Sequence, residues 1–392
     1  MNIVFLYPFI PSPTSTGLNA ELLPLCKELV SLGNTVSILF TDFNGKGKFT
    51  EVITDKNYEV QNHIYDSAPR LRLNHDLREA ISIFLYDAEG LFIPPIFHIS
   101  DILLSLREID FSHLNCDAIV SFKPWFRTAI PALKTSKQLD IPCILWLDDY
   151  DISIHSHFLS KFSGIVTLTS YIQRLYSKFL PFCLPYPVES EIIAAQPSSI
   201  RRDSSKSRNL LVSFPGTGYS KKETLAIMEP IFSGFPGINK FLINSPFDAR
   251  QQLIDFQRGN CTTGVLRFID NVPRSDYLRL LDKQDIAIVL QPNNKYGKAK
   301  TSIRLLECMA KGIPVISPDL GGASETIKSA NCGLLTEPDD VESYALRLVE
   351  LIDNPQFSED LGRNGIEYMR QRSWKANALI FLDYVTTLRQ LQ

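Results

Sequence analysis

The run Lys298-Ala-Lys-Thr-Ser-Ile-Arg-Leu-Leu-Glu307 carries residue types suited to holding a phosphorylated nucleotide. Thr301 or Ser302 can cap a helix whose apolar side includes Ile303, Leu306 and Ala310, and Gly312 ends it before the next apolar run. The free N–H groups and positive dipole end at Thr301 and Ser302 suit a pyrophosphate, and Lys300 adds a neutralising charge. Glu307 follows Thr301 by six residues. At ~1.5 Å per residue that is about 9 Å along a helix axis, and helical side chains lean back toward the N-terminus. Its carboxylate can therefore reach the vicinal hydroxyls of a ribose, the role acidic residues take in other nucleotide sites. The simpler alternative is an exposed helix acid near Lys300 or Lys311.

Other candidates lie elsewhere. Asp148, Asp149 and Asp151 follow the apolar run Cys143 to Leu147, at the carboxyl end of an expected buried strand, where one acid can orient or deprotonate a hydroxyl. Strand-end capping and turn formation explain the same acids. Lys221 and Lys222 begin a helical pattern after Phe214-Pro-Gly-Thr-Gly, where they can meet the charge of a departing pyrophosphate or be plain surface cations. Gly17 closes Pro11-Ser-Pro-Thr-Ser-Thr-Gly and permits a close backbone approach, as any strand-to-helix turn would. His155 and His157 have no third ligand nearby and do not make a metal site.

The elements that must position these residues follow an alternating pattern. Short β-rich runs at Ile3 to Leu6, Thr35 to Phe40, Ala118 to Ser121, Cys143 to Leu147 and Ile165 to Leu168 alternate with helical stripes such as Leu18 to Leu32. After Leu184-Pro-Tyr-Pro and the polar run Gln196 to Arg208, which reads as a solvated linker, the pattern restarts. The second set of strands is Leu210 to Phe214, Lys240 to Ile243, Val265 to Phe268, Ile286 to Leu290, Pro314 to Ser317 and Gly333 to Leu335. The expected class is α/β with two doubly wound Rossmann-like domains, 1–190 and 191–372, and a final helix over 373–392. An irregular insertion is expected at about 44–110; its Arg70, Arg72 and Arg78 fit either a solvated helix or a basic face toward a lipid-linked acceptor, and they receive no function.

Composition bounds the classes. The 392 residues suit two domains, and 40 basic against 43 acidic residues leave a net charge of -3, which excludes recruitment of nucleic acid by overall charge. Seven scattered cysteines without a Cys-x-x-Cys pair point to buried thiols in a reducing cytoplasm. The N-terminal apolar run lacks a basic flank and a cleavage site and reads as a strand, and no run is long enough to cross a membrane. A cytoplasmic location is expected, either free or peripheral at the inner membrane.

The segment Glu307-Cys-Met-Ala-Lys-Gly312-Ile-Pro314-Val-Ile, followed by Gly321-Gly322-Ala-Ser-Glu325 and Gly333-Leu-Leu-Thr-Glu-Pro-Asp339, resembles the retaining GT-B glycosyltransferases of family 4, or glycosyl transferases group 1. Ser373-Trp374 is similar to the point before that family's last helix, and Ser121-Phe-Lys123-Pro124 and Asp148-Asp149 are similar to its Lys-Pro and Asp-Asp loops. The resemblance implies two domains facing across a cleft, with the last helix returning to the first domain. It also implies transfer of a hexose from a nucleotide diphosphate sugar to a glycan, lipid-linked or protein hydroxyl, with retention and without a metal or cofactor. Asp148, Asp149 and Lys222 then carry catalysis, and Gly17, Lys221, Lys300, Thr301, Ser302, Glu307, Gly321 and Gly322 hold the donor. Two departures stand out. Ala299 occupies the place of the family's first acid, eight residues before Glu307, and the Gly-Arg pair expected after Phe214 is absent. An altered sugar pocket is expected; a noncatalytic donor-binding subunit and a GT-B nucleotide-sugar epimerase are the alternatives.

Overall fold

In a parallel sheet covered on both faces, strands become continuously apolar, and that is the character of the first sheet. Its elements are β1 (Asn2–Tyr7), α1 (Leu23–Ser31), β2 (Thr35–Thr41), β3 (Phe49–Val52), β4 (Val60–Gln61), β5 (Ala118–Phe122), α2 (Phe126–Leu139), β6 (Cys143–Leu147), β7 (Gly164–Thr167), α3 (Ser170–Leu175) and β8 (Phe182–Cys183). The strand order is β4-β3-β2-β1-β5-β6-β7-β8, and every residue of β5 and β6 is buried. The computed structural model describes residues 1–7, 21–41, 49–52, 60–61, 116–124, 126–148, 159–197, 208–214, 220–259, 263–269 and 272–391.

All pairings in this sheet are parallel except β2 with β3 and β3 with β4. The stretch expected to be irregular thus contributes two antiparallel strands at the sheet edge. Arg70, Arg72 and Arg78, the histidines 155 and 157, and most of the polar linker lie outside the described residues.

The second sheet is built from β9 (Asn209–Ser213), α4 (Lys221–Gly234), β10 (Asn239–Ile243), α5 (Arg250–Gly259), β11 (Leu266–Ile269), α6 (Arg274–Leu281), β12 (Ile286–Val289), α7 (Lys295–Ala299), α8 (Ile303–Ala310), β13 (Val315–Pro318), α9 (Gly321–Ala330), β14 (Gly333–Thr336), α10 (Val341–Asp353) and α11 (Pro355–Arg370). It is fully parallel, in the order β11-β10-β9-β12-β13-β14. The chain winds outward from β9 to β11, then restarts at β12 on the other side, so the winding reverses between β9 and β12. The core packs Leu210, Val212 and Phe214 with Met228, Phe232 and Leu348, all buried.

The last helix, α12 (Trp374–Gln390), belongs from Asn377 onward to the first compact unit, together with Leu22–Pro185, while Tyr186–Ala376 belongs to the second. Phe381 is fully buried against Phe5 and Trp146, with ring centroids at 6.1 and 5.8 Å. The Ile165 N–H donates to the Tyr384 hydroxyl at 3.1 Å. Gly164 makes that approach feasible, because a Cβ there would lie 2.4 Å from the hydroxyl oxygen.

One buried charge sits far from any expected site. Lys240 is 1% exposed; its Nζ donates to the Phe235 and Ile238 carbonyls at 2.8 and 2.9 Å and lies 5.0 Å from the Phe232 ring centre. Burial lowers its pKa from 10.5 to about 8. The unfolded chain therefore binds more protons between these values, and stability rises as pH climbs through that window. Urea unfolding of wild type and Lys240→Met from pH 7.5 to 10 should show a difference between the two that shifts in favour of wild type as pH rises. A pH-independent difference would contradict the perturbed lysine.

Candidate functional site

Ligands of open parallel sheets bind beyond the carboxyl ends of the strands where the winding reverses, here the ends of β9 and β12. The chain leaving β12 passes Gln291 and Pro292 and forms the short helix α7, whose N-cap Asn294 accepts from the Gly297 N–H at 2.8 Å. Gly297 packs so closely that a Cβ would lie 2.0 Å from the Pro292 carbonyl oxygen. The chain then turns through Lys300 and Thr301 into α8, with Ser302 as its N-cap. The Ser302 side chain makes no capping hydrogen bond, so it takes up none of the first-turn N–H groups of this amphipathic helix.

Beyond β13 the chain enters α9 at Gly321, whose φ of +47° places it in the left-handed region. A Cβ there would lie 1.7 Å from the Lys298 carbonyl oxygen, so Gly321 brings the start of α9 directly onto the end of α7. Gly322 is buried in the first turn of α9. Lys298 to Ser302 and Gly321-Gly322 thus meet at the carboxyl edge of the sheet. The Lys300 ammonium donates to the Tyr296 hydroxyl at 2.7 Å and lies 4.8 Å from its ring centre, and the Gln291 amide donates to the Lys300 carbonyl at 3.1 Å.

Glu307 is 0% exposed, which overturns its reading as an exposed helix acid. Lys311 pairs instead with Asp282 at 2.7 Å. The Glu307 partner is Arg274, the first residue of α6, which donates through Nη1 to Oε1 and through Nη2 to Glu189 Oε2 at 2.9 Å. Burial raises the Glu307 pKa, and Arg274 acts in the opposite direction. The Arg274 pKa is raised as well: burial disfavours its charge, but the two carboxylates outweigh that effect.

Sequence reading assigned no separate role to Arg304, which lies in the first turn of α8. Its Nη1 donates to the Phe214 carbonyl at 3.3 Å and reaches Ser213 Oγ at 3.5 Å, placing the guanidinium at the carboxyl end of β9. The available signal was its spacing, three residues before Glu307 on the same helix face. Arg274 had no such signal, because its partner is 33 residues away in another helix.

Lys221 and Lys222 open α4, with Lys221 half-buried and Lys222 exposed. Ser220 and Glu223 close a capping box there: the Glu223 N–H donates to Ser220 Oγ at 3.2 Å, and the Ser220 N–H donates to the Glu223 carboxylate at 2.7 Å. Among the described residues, no hydrogen bond or ion pair joins these lysines to the Lys300 to Ser302 turn.

In the first unit, Asp148 follows β6 and pairs with Lys123 at 2.6 Å, both side chains being largely buried. Lys123 has a φ of +72°. Its carbonyl accepts from the Ser121 and Thr128 hydroxyls at 2.9 and 3.1 Å, and its N–H donates to the Trp146 carbonyl at 2.9 Å. The Lys-Pro turn and the first acid after β6 are therefore one unit. Asp149 and Gly17 lie outside the described residues. Among the described residues no group of His, Cys, Asp and Glu could hold a metal ion.

Residues 262–368 match the family described as Glycosyl transferases group 1. D-inositol 3-phosphate glycosyltransferase 2 of Catenulispora acidiphila is 30% identical over 122 residues, which are 30% of this chain and 27% of that protein. Sucrose-phosphate synthase 4 of Arabidopsis thaliana is 28% identical over 87 residues, 22% of this chain and 8% of that protein. The chain thus matches about a quarter or less of the length of these relatives. Two solved structures are similar throughout. Sucrose-phosphate synthase from Thermosynechococcus elongatus has a TM-score of 0.67 at 12% identity and covers 100% of both chains. Anabaena Alr3699/HepE in complex with UDP and glucose has a TM-score of 0.65 at 16% identity, covering 99% of this chain and 100% of that one.

Two Rossmann-like domains, with the last helix belonging from Asn377 to the first, give the chain the GT-B fold. The part of its C-terminal domain from 262 to 368 is similar to the glycosyl transferases group 1 family, in line with the sequence resemblance.

The turn at Gly321 yields a direct test. Gly321→Ala is expected to lower unfolding free energy by at least about 1–2 kcal/mol, the cost of a left-handed conformation alone. Gly234→Ala, where a Cβ meets nothing within 4 Å, is the control. Equal urea midpoints for the two variants would rule out the close contact with Lys298.

Proposed function

We propose that this protein transfers a hexose from a nucleoside diphosphate sugar to a hydroxyl acceptor, with retention at the sugar. The observation that carries this reading is the convergence of the uncapped α8 N-terminus, Lys300 and Arg304 at the winding reversal of a domain that matches glycosyl transferases group 1. A diphosphate leaving group develops charge that oriented N–H groups and cations can neutralise in place of a metal ion. Thr301 and Ser302 contribute the helix end, Lys300 and Arg304 the cations, and Gly321 and Gly322 a close backbone approach. Glu307 accepts from the ribose hydroxyls. Lys221 and Lys222 approach the phosphates from the start of α4.

The bond from the sugar anomeric carbon to the β-phosphate oxygen breaks, with its electrons leaving on the diphosphate. A bond from the same carbon to the acceptor oxygen forms. In this reading the acceptor proton moves to a basic group, and Asp148, held by Lys123, and Asp149 serve the acceptor side. The relative named for D-inositol 3-phosphate and the neighbour bound to UDP and glucose support the substrate class. We assign the acceptor to a glycan, lipid-linked or protein hydroxyl. The buried free thiols among the described residues fit a reducing cytoplasm, and among those residues no helix is long and apolar enough to cross a membrane.

Incubation with a panel of nucleoside diphosphate sugars and hydroxyl acceptors, reading released nucleoside diphosphate and glycosylated product, tests the reading. Arg304→Ala is expected to lower kcat about 10²-fold, the effect of removing one preorganised charge-stabilising donor. Arg363→Ala, at an exposed ion pair on α11, is expected to leave activity unchanged. Tight binding without turnover on every acceptor would favour a noncatalytic donor-binding subunit, the reading that buried Ala299 and the missing Gly-Arg pair support.

A further inference from the structure

Glu307 is tied down by a helix that no motif singles out. Arg274 opens α6 and divides its guanidinium, Nη1 to Glu307 and Nη2 to Glu189 at 2.9 Å. Tyr277 lies one turn further along α6, its hydroxyl buried, and interacts with the same carboxylate. Arg274 is the cation hydrogen-bonded to this buried carboxylate, and the Tyr277 hydroxyl lies beside it. The charged or titratable groups that act on Glu307 are Arg274 and Tyr277 from α6, Arg304 and Cys308 from α8, and Glu189 from the segment entering the second unit. A carboxylate without water around it needs a paired cation to remain ionised. Arg304 is engaged at the end of β9. Arg274 therefore carries the pairing.

We propose that Arg274 is a positioning residue for the donor site, holding Glu307 in the orientation from which it accepts the ribose hydroxyls, with Glu189 competing for the same guanidinium. The inference rests on the nucleoside diphosphate sugar reading given above. It makes Arg274 act through Glu307 rather than by touching the donor. Loss of Arg274 then weakens donor binding before it slows the chemical step.

The two sides of the triad give opposite signs. Arg274→Gln removes the cation, so Glu307 takes up a proton at higher pH; Glu189→Gln removes a competing acid, so Glu307 stays ionised to lower pH. The experiment measures kcat and donor KM from pH 5 to 9 with the best nucleoside diphosphate sugar of the panel. Arg274→Gln is expected to raise donor KM at least about tenfold at pH 7, with kcat changed less, and to move the acid limb of kcat/KM upward. Arg274→Lys should recover part of the loss, and Glu189→Gln should move the acid limb downward. A purely architectural role would not produce opposite shifts. Should Arg274→Gln fail to fold, Glu189→Gln carries the test by itself. Wild-type turnover with unshifted acid limbs in the folded variants overturns the role of Arg274 and leaves the activity standing. Absence of any nucleoside diphosphate binding or turnover by wild type overturns the functional reading beneath it.

Discussion

The backbone contact of Gly321 with the Lys298 carbonyl governs the arrangement of the second domain's carboxyl edge. Where a side chain would come within 1.7 Å of that oxygen, glycine lets α9 begin directly against the end of α7. The turn from Lys298 to Ser302 is then supported from the β13 side by α9 and from the β12 side by Gly297 on Pro292. Its direction sets the start of α8, and α8 in turn carries Arg304 to the end of β9 and Glu307 into the interior. A change of one methyl group at this contact therefore reaches Arg304 and Glu307 together.

Two acids singled out by spacing turn out to share one electrostatic solution. Asp148 is held by Lys123 in the first unit, and Glu307 by Arg274 in the second. Removing either cation would leave a largely buried carboxylate uncompensated, which is the costly half of a buried ion pair. These pairs are better understood as fixing the position and charge of an acid than as sources of stability. The backbone around Lys123 supports that view: a left-handed φ is maintained by two hydroxyls on its carbonyl and by its N–H on β6, so the cation is placed as firmly as the acid.

Much of the fold was legible because the central strands of both sheets pair in parallel and are buried, so they stand out as short apolar runs such as Ala118 to Ser121 and Ile286 to Leu290. The start of α8 was legible because Ser302 is a favourable N-cap residue ahead of an amphipathic stripe, although its hydroxyl does not perform the capping. β3 and β4 were not, since a strand of four and a strand of two residues carry too little periodicity to separate from a loop. The pairings made by Arg274 and Lys123 were hidden for another reason. Their partners lie 33 and 25 residues away, on elements that meet only once each sheet is assembled. Lys240 could not be read as buried because the carbonyls that take up its ammonium come from the preceding turn and leave no mark in the side-chain pattern of β10.

Ala299 shows how packing constrains the place where the resemblance leads one to expect an acid. Its side chain is 0% exposed at the last position of α7, between the Gly297 contact and the C-cap Lys300. A carboxylate introduced there would be desolvated, and one of the two flanking lysines, Lys300, is already directed to Tyr296. Charge at this point would need both a new counter-ion and a looser α7, and loosening α7 disturbs the Gly321 contact on Lys298. The methyl group and the tight turn are therefore consistent with each other. The acid expected from the sequence resemblance and this packing are alternatives: in the donor site proposed above, polar contacts to the sugar come from residues other than 299, while the proposed phosphate contacts of the α8 start and its cations do not depend on that acid.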